Sequence, residues 1–223
     1  MADNADAYLV IPLYNEAAVV REVVASARAV FPNVVVVDDG STDDSAERAR
    51  QAGALVVRHP INLGQGAALQ TGIEVALRLG ADFVLTFDAD GQHRTEDAVA
   101  MVERLRADEA DVVFGSRFLD GRTRPGFFRR LMLRAAIAYS NVSTGVRLTD
   151  THNGLRALNR KAAATLCIRQ NRMAHASEII EQVGRSGLRW VEQPVHILYT
   201  DYSRAKGQSM LNAVNILTEL IFR

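Results

Sequence analysis

The chain has 223 residues, a formal net charge of zero and 48% hydrophobic residues, enough for one large α/β domain or two small ones. The balanced charge argues against nucleic acid as the main partner. A single cysteine, Cys167, has no partner for an internal disulfide, which fits a reducing compartment. We expect neither a signal peptide nor a transmembrane helix, because no basic leader or apolar run of about 18 residues is present. Any membrane contact is therefore expected to be peripheral or to go through a partner.

The first half of the chain predicts alternating strands and helices. Short apolar or β-branched runs predict strands over residues 8–12, 34–37, 54–57, 83–87 and 112–114. Helical periodicity and capping residues predict helices over 16–30, from Ser41 or Thr42 to Gly53, over 66–79 and over 95–106. This alternation is typical of an α/β fold with a mostly parallel sheet flanked by helices.

The second half is less regular. A turn at residues 154–156 leads into an apolar pair at 157–158, a helix is predicted over 176–185, and strands over 189–191 and 195–199. A final helix carries apolar residues at helical spacing: Leu211, Val214, Leu217, Leu220 and Ile221. Because we find no repeat or linker, we predict a single domain over residues 1–223.

Polar clusters follow four of the predicted strands. They cover residues 12–16, 38–43, 62–66 and 88–93. Each is compatible with ordinary turn chemistry. However, an open α/β sheet brings the carboxyl ends of its strands to one edge, where ligands bind. Four such clusters therefore predict a binding site at that edge.

The fourth cluster begins with two carboxylates, Asp88 and Asp90, directly after a buried strand. Gln92 adds a neutral oxygen two residues later. Oxygen ligands at such an edge suit Mg²⁺ or Mn²⁺, which keep open positions for substrate phosphates. Asp90 is the candidate to hold an ion that bridges a diphosphate and neutralises a leaving group.

The other clusters offer groups that recognise a nucleoside. The Asp39 carboxylate can accept from a base N–H, Tyr14 offers an aromatic face, and Glu16 can accept from ribose hydroxyls. Gly64 and Gly66 allow close backbone approach or tight helix packing. The phosphate-loop Lys is missing, and no G-x-G-x-x-G follows the first strand, which argues against P-loop and dinucleotide sites.

Five segments, in order, carry a resemblance: VIPLYNE, VVDDGSTDDS, NLGQGAALQTGIEVA, DADGQH and GSR. They resemble family 2 glycosyltransferases of the GT-A fold, over Tyr8 to Ser209, and most of all the branch of polyprenyl-phosphate sugar synthases. The resemblance implies a Rossmann-like GT-A domain, a GDP-mannose or UDP-hexose donor, Mg²⁺ or Mn²⁺, and inversion at the anomeric carbon. It also implies a donor-binding half over residues 7–116 and an acceptor half over 117–223.

The resemblance also implies roles for individual residues. The nucleoside would be held by Pro12, Tyr14, Glu16, Val37 and Asp39. The diphosphate would contact Asp88, Ala89 and Asp90, and the metal would be held by Asp88, Asp90 and Gln92. A loop with Arg204 and Lys206 would close over the donor phosphates, although a solvated pair is an equal alternative. The catalytic residues would be Asp90, Arg117 and Asp150.

Residues 115–148 carry seven arginines and one acid, interleaved with large apolar side chains. This pattern is typical of a basic amphipathic segment in a membrane interface, and a solvated helix face is the alternative. In the resembling branch, arginines of this region hold the lipid phosphate. Arg117 is the best-matched of them, and Arg129 and Arg130 are candidates for the second.

The segment from Asp150 to Arg156 is similar to the family's D-x-x-S-G-F-R, with Asn153 and Leu155 as departures. Asp150 is alternatively a turn cap. No metal-binding spacing links His93, His152 and His175, so we interpret each as structural.

The sequence therefore predicts a glycosyltransferase that moves a sugar from a nucleotide-diphospho-sugar to a polyprenyl phosphate, on the cytoplasmic face of the membrane. A phosphate acceptor is already ionised at neutral pH and needs no general base. One alternative is transfer to a saccharide hydroxyl, with Asp150 or Glu178 as base. Another is a non-catalytic nucleotide-sugar-binding protein. The last helix would bind the membrane, a small integral membrane protein, a second copy of the chain, or its own domain.

Overall fold

The computed structural model describes residues 4–119, 137, 141, 145–151, 153–170 and 174–198. Within these residues the strands are β1 (Ala7–Leu13), β2 (Asn33–Asp38), β3 (Leu55–Arg58), β4 (Phe83–Thr86), β5 (Val112–Ser116), β6 (Arg156–Asn159) and β7 (Trp190–Pro194). The helices are α1 (Val20–Arg28), α2 (Ser45–Gln51), α3 (Gln65–Arg78), α4 (Thr95–Arg106), α5 (Arg160–Thr165) and α6 (Ala174–Arg185).

The described strands form one sheet in the order β3-β2-β1-β4-β6-β5-β7. All of them run parallel except β6, which is antiparallel to both of its neighbours. The predicted mostly parallel sheet is confirmed. Strands from both halves of the chain pair in this sheet, because β6 lies between β4 and β5.

Helices cover both faces of the sheet, and β2 shows how the sequence produces this. Val34 and Val36 pack with residues of α1 and α4 in one apolar cluster, while Val35 and Val37 face the other side towards Ala68 of α3. A strand that is buried on both faces needs apolar side chains at every position rather than at alternate ones. The run of four valines meets this requirement.

Two helices begin later than predicted, because side chains of the loops bind the main chain first. The N–H of Asn15 donates to Ser41 Oγ (3.0 Å) and that of Glu16 to Ser45 Oγ (2.8 Å), so α1 begins only at Val20. The Asp43 carboxylate accepts from the main-chain N–H of Ser45 (3.0 Å), and α2 begins there rather than at Ser41 or Thr42.

The strand predicted over 195–199 is wrong for residues 195–198. Strand β7 ends at Pro194, and the chain then leaves the sheet. The N–H of His196 donates to the Asp97 carboxylate (2.8 Å) and that of Leu198 to the carbonyl of Gln92 (2.9 Å). These bonds direct the segment towards the loop that follows β4. The sequence interpretation also missed the short α5, which Asn159 caps through a bond from the Ala162 N–H (2.8 Å).

Several predictions concern residues outside the described ranges. They are the lipid-phosphate and donor-loop roles of Arg129, Arg130, Arg204 and Lys206, the basic apolar segment, the final helix, and the structural interpretation of His152. Among the helices that are described, none has both the length and the apolar character needed to cross a bilayer.

A buried carboxylate, Asp111, joins the strands at one end of the sheet. It accepts from the Arg189 N–H (2.9 Å) and from Asn159 Nδ2 (3.0 Å). Burial by itself would raise the pKa of Asp111, but these bonds, the Arg189 guanidinium and the nearby Lys161 lower it from 3.8 to about 2. The folded protein therefore holds the ionised form, and this stabilisation is present above pH 3.8 and is lost as the pH falls towards 2.

We expect Asp111→Asn to lower the free energy of unfolding by about 2 kcal/mol at pH 7, and the difference from wild type to shrink as the pH approaches 2. Urea unfolding at several pH values measures this. Asp108→Asn is the matched control, because Asp108 pairs with the same Arg189 but its side chain is 81% exposed. A loss that stays constant from pH 7 to pH 2 would show that shape rather than charge is responsible.

Candidate active site

The loops that follow β1 and β2 are joined by hydrogen bonds at the carboxyl edge of the sheet. Besides the bonds to Ser41 and Ser45, Asn15 Oδ1 accepts from the Thr42 N–H (2.9 Å). The Asp39 N–H donates to the carbonyl of Leu13 (2.8 Å). The first two polar clusters of the sequence therefore form one continuous surface.

Asp39 connects the loop after β3 to this surface. Its carboxylate accepts from His59 Nδ1 (2.7 Å) and from the main-chain N–H groups of Leu63 (2.9 Å) and Gly64 (2.7 Å). Gly64 precedes α3, so the carboxylate lies at the N-terminal end of that helix, where negative charge is favoured. Asp39 itself is 3% exposed.

Two glycines let these loops approach one another. Gly40 has a φ of +75°, and a Cβ on it would lie 2.8 Å from the main-chain nitrogen of Asn62. A Cβ on Gly66 would overlap the carbonyl oxygen of Gln170 and lie 3.1 Å from His175 Cβ. The predicted close approach is thus confirmed for Gly66, which packs against the segment before α6.

Asp88 and Asp90 lie where β4 ends, next to the other clusters. Gln65 Nε2 donates to Asp88 Oδ1 (3.4 Å), and His93 Nε2 lies 2.9 Å from Asp88 Oδ2. Asp90 Oδ1 accepts from the main-chain N–H of Gln92 (3.0 Å). All four predicted polar clusters therefore converge on one edge of the sheet.

The two carboxylates have opposite electrostatic surroundings. Burial would raise the pKa of Asp88, but the His93 hydrogen bond and the electrostatic interactions with His93, Arg156 and His175 bring it below its ordinary value. The pKa of Asp90 is raised, first by burial and then by the negative charge of Asp88, with a smaller contribution from Glu16. Asp90 forms no ion pair with any Lys, Arg or His of the described residues.

This arrangement fits a divalent cation. A carboxylate without an ion pair beside two further carboxylates attracts positive charge, and a bound ion would remove the repulsion that raises the pKa of Asp90. In the described part of the chain, no three His, Cys, Asp or Glu side chains are grouped as a complete metal site. A site with few protein ligands is what Mg²⁺ uses when substrate phosphates complete its coordination.

Gly154, just before β6, makes room for the Asp88 carboxylate. A Cβ built on Gly154 would lie 2.7 Å from Asp88 Cγ and 2.8 Å from Oδ1, and closer still to Oδ2. The Thr86 hydroxyl donates to the carbonyl of Gly154 (2.5 Å), so this backbone is anchored to β4. Any larger residue at this position would displace Asp88.

An ion pair between Arg117 and Asp150 lies at the end of β5. Arg117 Nε donates to Asp150 Oδ2 (2.6 Å), and the Arg117 main-chain N–H donates to the same oxygen (3.2 Å). The Asp150 side chain is 1% exposed, while that of Arg117 is 14% exposed. Asp150 therefore holds the guanidinium in place, and part of Arg117 reaches the surface.

The remaining predicted site residues differ in accessibility. Tyr14 is 46% exposed at the end of β1, next to the half-buried Pro12, so its ring is free to contact a ligand. The side chain of Val37 is completely buried, and Ala89 is 5% exposed. Any contact that Val37 makes to a nucleoside would have to use its main chain.

The family model for glycosyl transferase family 2 matches residues 8–167, which contain all four clusters, Arg117 and Asp150. The chain belongs to glycosyltransferase family 2. The resemblance found in the sequence is thereby confirmed.

Curated relatives match this glycosyltransferase over nearly its whole length. The UDP-N-acetylglucosamine–dolichyl-phosphate N-acetylglucosaminyltransferase of Methanococcus voltae is 30% identical, over 96% of this chain and 94% of the relative. The undecaprenyl-phosphate mannosyltransferase of Micrococcus luteus is 28% identical, over 91% of this chain and 90% of the relative.

Among solved structures, the glycosyltransferase is similar to glucosyl-3-phosphoglycerate synthase from Mycobacterium tuberculosis in complex with Mg²⁺ and uridine diphosphate. The TM-score is 0.68 at 22% identity, over 96% of this chain and 78% of the other. At this identity the likeness shows the fold, and it confirms the predicted GT-A architecture.

Four residues that lie beside the predicted site carboxylates were given no role there from the sequence. His93, which was interpreted as structural, contacts Asp88, and its place five residues later was the available signal. His59 and Gly154 act through contacts with carboxylates 20 and 66 residues away in the sequence. Arg156 is 3% exposed, and burial lowers its pKa to about 10 against the opposing charges of Asp88 and Asp150. It is therefore a buried cation between the two ends of the site.

Proposed function

We propose that this glycosyltransferase moves a hexosyl group from a nucleotide-diphospho-sugar to a polyprenyl phosphate at a membrane surface, with inversion of the anomeric carbon. The observation that carries the proposal is the position of Arg117, which Asp150 holds at the end of β5. In the sheet, β5 lies beyond β4, the strand that precedes Asp88 and Asp90, on the side away from β1, β2 and β3. A partly exposed, oriented guanidinium suits a phosphate. Both curated relatives named above have polyprenyl phosphates in their names.

In the proposed reaction an oxygen of the lipid phosphate attacks the anomeric carbon. The new bond joins that carbon to the phosphate oxygen, the bond to the donor diphosphate breaks, and a nucleoside diphosphate leaves. Since the second pKa of a phosphate is about 6, the nucleophile is already ionised at neutral pH. The chain then has to position two substrates and balance their charge rather than remove a proton.

The donor would lie along the edge formed by the first four strands. The loops after β1 and β2, with Tyr14, Glu16 and Asp39, would hold the nucleoside. Asp88, Asp90 and Gln92 would hold Mg²⁺ or Mn²⁺, which when bound neutralises charge on the diphosphate. His93 and Gly154 would keep Asp88 in place for this role.

The described contacts speak against a general base for a hydroxyl acceptor. Asp150 already accepts three bonds from Arg117, one from its main-chain N–H and two from its guanidinium. Glu178 accepts from the main-chain N–H groups of Arg169 (3.0 Å) and Gln170 (2.8 Å), so it holds the loop before α6. To act as a general base, Asp150 or Glu178 would have to give up these hydrogen bonds. This supports the phosphate acceptor over the saccharide hydroxyl.

We further propose a peripheral location on the cytoplasmic face of the membrane, where the enzyme would reach the lipid phosphate of the proposed reaction. Arg129 and Arg130 remain predicted contacts to the lipid phosphate. The last helix is predicted to bind the membrane, a small integral membrane protein, a second copy of the chain or its own domain. Each basic residue near an anionic surface contributes roughly 1 kcal/mol, screened by salt.

The test is a transfer assay with radiolabelled nucleotide-sugars and three acceptors: a polyprenyl phosphate in detergent, the matching polyprenol, and soluble saccharides. We expect product only with the phosphate, and a rate that rises around pH 6 and then stays level. Arg117→Ala should lower this transfer roughly 100-fold while calorimetry shows unchanged nucleotide binding. Arg78→Ala, which removes an exposed guanidinium on α3, is the matched control.

Transfer to a saccharide but not to the polyprenyl phosphate would establish the hydroxyl-acceptor alternative. Nucleotide binding without transfer to any acceptor would favour a binding protein. Equal loss of nucleotide affinity in Arg117→Ala would place Arg117 on the donor side.

A further inference from the structure

One carboxylate oxygen of Glu192, on β7, binds the loop that carries Asp150. Glu192 Oε1 accepts from the main-chain N–H of Thr149 (2.8 Å), from the Thr149 hydroxyl (2.8 Å) and from the main-chain N–H of Asp150 (3.3 Å). Hydrogen bonds to a charged acceptor are roughly twice as strong as those between neutral groups. Glu192 therefore ties the main chain at Asp150 to a strand of the sheet.

The Thr149 hydroxyl extends this contact to the main chain around Arg117. Ser116 Oγ lies 2.6 Å from Thr149 Oγ1, and the Phe118 N–H donates to Ser116 Oγ (3.3 Å). Because an ionised carboxylate only accepts, we assign the Thr149 proton to the bond with Glu192, and the Ser116 hydroxyl then donates to Thr149. All these hydrogen bonds run in one direction and end at Glu192. They begin on the two residues that flank Arg117.

Both members of the ion pair at the end of β5 therefore depend on Glu192. Asp150 Oδ2 accepts from Arg117 Nε (2.6 Å), and Oδ1 accepts from Arg117 Nη2 (3.4 Å). Glu192 holds the main chain of Asp150 directly, and it holds the main chain beside Arg117 through two hydroxyl groups. A guanidinium that is fixed in this way has less conformational freedom to lose when it binds an anion.

The position of Glu192 is itself fixed by the sheet and by α4. Strand β7 pairs in parallel with β5, and Glu192 lies opposite Phe114, three residues before Arg117. The carbonyl of Glu192 accepts from Arg104 Nη1 of α4 (2.8 Å). The main chain of Glu192 is thus anchored independently of its carboxylate, so the carboxylate can be changed without removing these contacts.

We infer that Glu192 is a positioning residue for the acceptor phosphate, because it holds Asp150 and the main chain beside Arg117 so that the guanidinium is oriented before the lipid arrives. The inference rests on the proposed function, since it concerns the acceptor end of the same site. Loss of this positioning should weaken use of the acceptor. It should leave the donor end unchanged, because the loops after β1 to β4 form that end.

The test is steady-state kinetics of the 223-residue chain with a polyprenyl phosphate in detergent and a radiolabelled nucleotide-sugar. Glu192→Ala should raise the KM for the polyprenyl phosphate about tenfold and leave the KM for the nucleotide-sugar unchanged. Glu192→Gln keeps an accepting oxygen and should return the KM to within about twofold of wild type. Thr149→Val removes only the hydroxyl and should raise this KM about threefold. Glu181→Ala is the matched control, because Glu181 pairs with Arg185 on α6.

A double variant tests whether Glu192 acts through Arg117. Glu192→Ala combined with Arg117→Ala should transfer at the rate of Arg117→Ala alone, to within about twofold, because coupled residues are not additive. Additive losses, or an equal rise in both KM values, would overturn the inference. A KM in Glu192→Gln as high as in Glu192→Ala would overturn the hydrogen-bonding role.

Two further results separate the inference from folding and from the proposed function. If Glu192→Ala does not fold, Thr149→Val and its combination with Arg117→Ala replace it, and an unchanged acceptor KM in Thr149→Val would then contradict the role of Glu192. Absence of transfer to the polyprenyl phosphate by wild type would contradict the proposed function and the inference with it.

Discussion

Asp90→Ala is expected to lower the rate of sugar transfer by about 100-fold or more, which corresponds to roughly 2.7 kcal/mol of transition-state stabilisation. Asp90 is the carboxylate whose pKa is raised by burial and by the charge of Asp88, and it forms no ion pair among the described residues. A divalent ion beside it would neutralise the donor diphosphate. Without the carboxylate, that charge would be left uncompensated in a desolvated site.

A second variant separates the charge of Asp90 from its role in the loop. Asp90→Asn keeps an oxygen that can accept from the Gln92 N–H but removes the negative charge, and we expect it to lose nearly as much activity as Asp90→Ala. Asp82→Ala, an exposed acid before β4, is the matched control and should leave the rate unchanged.

The readout apart from activity is the dependence of nucleotide binding on Mg²⁺ or Mn²⁺. Wild type should bind a nucleoside diphosphate more tightly when the metal is added, and Asp90→Ala should bind it equally with and without metal. EDTA should abolish wild-type transfer. Undiminished turnover of wild type in EDTA would exclude the metal role proposed for Asp88, Asp90 and Gln92.

Gly154→Ala is expected to raise the metal concentration needed for half-maximal activity at least tenfold. The added methyl group would overlap the Asp88 carboxylate, and the bond from Thr86 to the Gly154 carbonyl prevents the backbone from moving away. Gly154 does not have a positive φ, so alanine causes no backbone strain there. Displacement of Asp88 from its predicted place as metal ligand is then the main consequence.

A control distinguishes this effect from simple crowding. The atoms nearest to the Cβ of Gly72→Ala would belong to the apolar side chains of Val10 and Val37, so this variant should lower the melting temperature without changing the metal dependence. Excess metal should restore part of the activity of Gly154→Ala. If Gly154→Ala lowers the melting temperature but has the same metal dependence as wild type, the role of Gly154 is confined to packing.

Local patterns in the sequence were sufficient to predict most of the strands of the parallel sheet. The valine run of β2, the alternation of strands and helices, and the polar residues after each strand all lie within a few positions of one another. They predicted strands at β1 to β5 and the convergence of four loops. The later boundaries of α1 and α2 could not be predicted in this way, because they depend on bonds such as that from Glu16 to Ser45, across 29 residues.

The place of β6 in the sheet shows the limit of local patterns more clearly. Nothing in residues 156–159 indicates that this short strand runs antiparallel between β4 and β5. Its position is set by the sheet as a whole, and it brings Gly154 and Arg156 against Asp88. The strand predicted over residues 195–198 was wrong because only the N–H of Val195 still bonds to a strand, at Ser116 of β5, while those of His196 and Leu198 bind Asp97 and Gln92.

The sequence by itself determined the family, the kind of fold, and the candidate donor and metal residues, because those depend on residue types at short, fixed spacings. Only the tertiary structure decided how the carboxylates differ. It showed that Asp88 has His93 and Arg156 near it while Asp90 lies beside other acids, that Asp150 holds Arg117, and that His59 occupies one oxygen of Asp39. The charge state and hydrogen-bonding capacity of a carboxylate depend on burial and on neighbours from distant parts of the chain, and folding alone brings these together.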